Sequence, residues 1–131
     1  MSIKLRLIVF LSSLLISLYS GQDESLFVPI QSYLERFRHS IEKNDLTVES
    51  DMIYLKLYSR RTTYKTILLL GFHSVGRALQ KSSISFSRVQ VNIHYEMKES
   101  QQISATASIE SVLALSRGQM NPDQFFSKVR Y

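Results

Sequence analysis

The chain has 131 residues, the length of one domain, with a formal net charge of +5 and no cysteine. The missing cysteines exclude a disulfide scaffold and thiol nucleophilic catalysis. Lys4 and Arg6 sit in an apolar N-terminal segment, and residues 21–131 carry 14 basic and 11 acidic groups, a net of +3. That is ordinary solubility charge and by itself implies neither nucleic acid nor an anionic membrane.

The N-terminal segment comes first. Residues 1–6 are basic, residues 7–18 are apolar except for Ser12, Ser13 and Ser17, and the small residues Ser20 and Gly21 follow. This is the pattern of a secretory signal peptide over 1–20, with one small α+β domain over 21–131. The apolar run falls short of the roughly 20 residues a spanning helix needs. Leu18 or Tyr19 would stand third before the cut, so an uncleaved N-terminal anchor is the alternative. An exported domain of this size usually leans on disulfides. This one must stand on packing alone, which favours a bacterial envelope or periplasmic location. No Asn-x-Ser/Thr sequon occurs.

From Ser25 to Asn44, Ile30, Tyr33, Leu34, Phe37 and Ile41 form the stripe of an amphipathic helix. Thr47 to Ser59 reads as one strand, with Ile53, Leu55 and Leu57 facing one way and Met52, Tyr54, Lys56 and Tyr58 the other. From Arg60 to Lys81 the apolar spacing and the length suit a crossover helix to a parallel strand. Gly71 and Gly76 would allow it a close approach to the sheet. A short buried strand at 66–70 is the competing assignment. Arg88 to Ile109 alternates with period two on both sides of a polar break, the mark of an antiparallel hairpin with one dry and one wet face. Glu110 to Arg117, closed by Gly118, reads as a short helix. Asn121-Pro122-Asp123-Gln124 is a strong start for a last one.

The expected order is therefore α-β-α-β-β-α-α. A βαβ crossover plus a β-hairpin would build a small three-stranded mixed sheet, with helices packed on one face and the other face left polar.

Motifs for chemistry are weak. The run from Gly71 to Ala78 resembles a phosphate loop, but Arg77 and Ala78 replace the Lys and Ser/Thr that the chemistry requires. The run from Gly118 to Phe125 resembles the tail of a calcium loop, but Leu113, Leu115 and Arg117 fall where oxygen ligands belong. His39, His73 and His94 lie on separate elements with no partner at metal-ligand spacing, so neither metal nor cofactor is expected. Arg60, Arg61 and Lys65 form the densest positive cluster, suited to a solvated strand end or to an acidic partner or lipid headgroup. Nucleic acid is disfavoured by the expected export.

What remains is a surface. Alternation places Tyr54, Lys56, Tyr58, Arg88, Gln90, Asn92 and His94 on the wet side of the sheet. The expectation is an exported, non-catalytic binding or interaction domain that meets an unknown protein or envelope component there. The alternatives are a small periplasmic enzyme using His94 and Glu96 as acid and base, and an accessory subunit held to the membrane by an uncleaved N-terminus.

Overall fold

The computed structural model describes residues 25–60, 64–95 and 101–131. The signal-peptide expectation, Arg61 and Glu96 lie outside the described residues. The order observed is α1 (residues 25–36), a 3-10 turn (Lys43–Asp45), β1 (Leu46–Glu49), β2 (Met52–Ser59), α2 (Tyr64–Gln80), β3 (Arg88–Tyr95), β4 (Gln101–Ser108), α3 (Ile109–Ser116) and α4 (Pro122–Lys128). No helix among the described residues is long and apolar enough to cross a membrane.

The fold is α+β with a mixed sheet, in the order β1-β2-β3-β4. β1 and β2 are antiparallel, β2 and β3 parallel, and β3 and β4 antiparallel. The sheet thus has four strands where the sequence suggests three, and the element order gains a strand before α2. The extra strand comes from a two-residue turn, Ser50-Asp51, inside the run expected to be continuous. Ser50 takes a left-handed φ of 54°, the backbone that two-residue hairpins need at their first central position. Leu46 and Val48 point inward on one side of the turn, and Ile53, Leu55 and Leu57 on the other.

The segment expected as a helix to Asn44 stops being helical at residue 36. His39 N–H donates to the Leu34 carbonyl and Arg38 N–H to the Glu35 carbonyl, both at 3.0 Å, with Arg38 at φ 62°. This is the paired hydrogen-bond closure that glycine usually provides. Phe37, expected in the buried stripe, is 52% exposed as a result. Gly118 closes α3 in the same way, at φ 72°, with Gln119 N–H on the Ala114 carbonyl at 2.9 Å.

α2 is a continuous helix through 66–70, so the competing strand does not form. It crosses from β2 to β3, as their parallel pairing requires. A Cβ on Gly71 would meet Leu57 and Val91 at 3.0 Å, so this glycine does face the sheet. Gly76 faces α3 instead, where a Cβ would stand 2.9 Å from the Val112 carbonyl oxygen.

The other helices gather on α2. Tyr33 of α1 stacks on His73, with centroids 5.6 Å apart, and Phe125 of α4 meets Phe72 edge-on at 5.0 Å. Phe72, Phe125, Leu26, Ile30 and Leu34 are fully buried between these helices and the inward residues of the strands. Each side chain of this size stabilises the fold by about 1.5–3 kcal/mol through burial. Asn121 and Gln124 form the reciprocal cap of α4 that their spacing suggests, at 2.8 and 3.0 Å. Beyond α4, Arg130 exchanges two backbone hydrogen bonds with Thr106 at 2.8 and 2.9 Å, adding one residue to the outer edge of β4.

Candidate functional site

The seven residues named from alternation come from β2 and β3, and the parallel register sets them side by side. Tyr54 pairs with Gln90, Lys56 with Asn92, and Tyr58 with His94, while Arg88 lies opposite Met52. Residues paired across strands share a face. The inward partners Ile53, Leu55, Leu57, Val89, Val91 and Ile93 are all buried beneath the helices. The seven therefore line the side of the sheet opposite α2.

The antiparallel register of β4 widens that face. Gln102, Ser104, Thr106 and Ser108 lie opposite His94, Asn92, Gln90 and Arg88. The same period-two alternation marks them, since they interleave with Ile103, Ala105 and Ala107. At the other edge, Thr47 lies opposite Tyr54.

The face is ordered by its own contacts. Gln90 donates through Nε2 to Asn92 Oδ1 at 2.9 Å. Lys56 Nζ sits 5.3 Å from the centre of the Tyr58 ring, a cation–π distance. Tyr58 and His94 rings lie 5.7 Å apart at a tilt of 41°. Tyr58 is the outermost of these aromatics at 44% exposed. Tyr54 turns its hydroxyl to Met52 Sδ at 3.5 Å.

Burial pushes the His94 imidazole below its ordinary value. The Lys56 ammonium pushes it the same way, and Asp45 pulls it partly back. Both shifts favour the neutral imidazole, whose two nitrogens can accept one hydrogen bond and donate another. Among the described residues no carboxylate bonds to it, and its expected partner Glu96 lies outside them.

His39, His73 and His94 do not converge. His73 stacks on Tyr33 in the helical layer, whereas His94 lies on the polar sheet face. Among the described residues no group of three His, Asp or Glu side chains could hold a metal ion. The run from Gly71 to Ala78 is helix interior rather than a loop, so it cannot cradle phosphates as a phosphate loop does. Of the basic cluster at the end of β2, Lys65 lies over the Phe126 ring at 6.0 Å.

Compared with known protein families, curated proteins and solved structures, the chain matches none.

Proposed function

We propose that this chain is an exported, non-catalytic binding domain of the bacterial cell envelope, and that the polar face of its sheet meets the partner. One observation carries the reading. The parallel register of β2 on β3 gathers Tyr54, Lys56, Tyr58, Arg88, Gln90, Asn92 and His94 on one face. Two tyrosines, two amides, an ammonium, a guanidinium and an imidazole with no carboxylate bonded to it among the described residues favour a recognition surface over a reaction centre. Export is supported by the basic, apolar and small-residue succession of the first 21 residues.

The test is affinity capture from native envelope extract with the wild-type chain and a Tyr54→Ala/His94→Ala variant. The variant should lose the captured partner while keeping its thermal midpoint. Undiminished capture would remove this surface from the proposal. Mass spectrometry of the N-terminus in the same sample reads the export step, since an intact 1–20 segment means an anchored form.

A further inference from the structure

We propose that one corner of this polar face is a recognition site for a phosphomonoester group, an inference that rests on the reading of the face as a binding surface. A groove of about 590 Å³ opens where β3 begins and β4 ends, and Ser87, Arg88, Thr106, Glu110, Lys128 and Arg130 line it. Its volume falls in the range of roughly 300–1,000 Å³ typical of small-molecule clefts.

The three cations arrive from three separate elements. Arg88 is the first residue of β3, Lys128 the last of α4, and Arg130 the residue bridged to β4. Arg88 lies opposite Ser108 and Arg130 opposite Thr106, which sets both on the polar face. Their backbones are fixed. Ser87 N–H donates to the Asp51 carbonyl at 2.8 Å, and Ile109 N–H donates to the Ser87 carbonyl at 2.9 Å. The paired bonds between Thr106 and Arg130 hold the third side. Like charges brought together on a rigid frame repel one another, and an oxyanion between them relieves that repulsion.

The donor set selects the anion. Three cations against Glu110 leave the groove a net of +2, which one carboxylate bound by a single guanidinium fork would only half neutralise. A phosphomonoester carries a charge of about −1.5 to −2 and three strong acceptor oxygens. Two guanidinium groups, an ammonium and the hydroxyls of Ser87 and Thr106 match it. Glu110 lines the same groove and opposes an anion there. Its charge sets the affinity below what the three cations alone would give.

The test uses the full chain at constant ionic strength, with chloride as the balancing salt. The probes are glycerol 3-phosphate and phosphatidylcholine vesicles with or without phosphatidic acid. Saturable binding of either phosphomonoester is expected, with backbone amide shifts centred on Ser87, Arg88 and Thr106. Arg88→Gln and Arg130→Gln should each weaken it about tenfold, whereas Glu110→Gln should tighten it several-fold. Lys81→Gln, on the helical side, should leave it unchanged. Binding of the vesicles alone identifies a lipid headgroup as the source, and binding of glycerol 3-phosphate a soluble ligand. Binding of neither, equal weakening by Lys81→Gln, or no tightening by Glu110→Gln overturns the proposal. Those results leave the envelope-capture experiment untouched, because it depends on Tyr54 and His94 at the middle and far end of the face.

Discussion

Gly76 and Ser116 bring α2 and α3 so close that a methyl group on Gly76 would stand 2.7 Å from the Ser116 Cβ. The Ser116 hydroxyl also accepts from Gln80 Nε2 at 2.7 Å and donates to the Leu113 carbonyl at 2.9 Å. Gly76→Ala must therefore shift a helix rather than a rotamer. Alanine gains up to about 1 kcal/mol of helix propensity, but overpacking of this kind costs typically 1–3 kcal/mol. A net loss of stability in urea unfolding is expected. Gly71→Ala should cost less, because it meets side-chain methyls of Leu57 and Val91 rather than backbone. Equal losses at both positions would count against this account of the helix contact.

The two helix closures predict opposite responses. Gly118 holds φ 72° at the end of α3. A side chain in that region costs about 1–2 kcal/mol, so Gly118→Ala should destabilise by about 1 kcal/mol. Arg38 already bears that strain at φ 62°. Arg38→Gly should be stabilising or neutral, because relief of strain offsets the entropy that glycine adds to the unfolded chain. Chemical denaturation of both variants checks the pair.

Tyr95 is 6% exposed, and its buried hydroxyl has no hydrogen-bond partner among the described residues. Burial, with Tyr64 adding to it, pushes its ionisation above the ordinary value of 10.0. Leaving such a group unpaired costs about 1–3 kcal/mol. Tyr95→Phe keeps the ring and removes the cost, so a gain of about 1 kcal/mol is expected. A loss of stability would mean that the hydroxyl is satisfied in solution.

Acid should weaken the fold through its histidines. Burial, and then the Arg77 guanidinium, holds His73 below its ordinary value of 6.5. His94 is displaced in the same direction, first by burial and then by Lys56. The unfolded chain then binds protons that the folded chain does not. The stability these groups contribute is present above about pH 6.5 and is lost as pH falls below it toward the folded values. The thermal midpoint should fall on acidification, and the fall between pH 7 and 5 should be smaller in a His73→Gln/His94→Gln variant. Parallel pH profiles would rule the histidines out.

How much of this was legible depended on the kind of signal. Strict alternation exposed β3 and β4 and put the right residues on each face. The capping pattern from Asn121 to Gln124 exposed α4. The first hairpin is weakly marked because its turn, Ser50-Asp51, lacks the glycine or asparagine that usually takes the left-handed position. A trace of it was present. The inward residues change phase between Val48 and Ile53, which no single strand allows. The end of α1 is hidden in the sequence because Arg38 stands where glycine normally closes a helix. The candidate face could be named from β2 and β3 separately, but which residues touch depends on the parallel register. Arg130 gave no local signal at all. Its position follows from where α4 releases the chain, a tertiary outcome.

The two hairpins and the crossover also imply an order of assembly. Each hairpin closes between neighbours in sequence, whereas Ile53 finds Val89 only across 36 residues. Long-range pairing is the slow kind, since loop entropy is lost before contacts compensate. Tyr58 and His94 become neighbours only in that step, so a chain with both hairpins formed but not yet joined lacks this pairing. A conformation-specific probe for the Tyr58–His94 pair would then report completed folding.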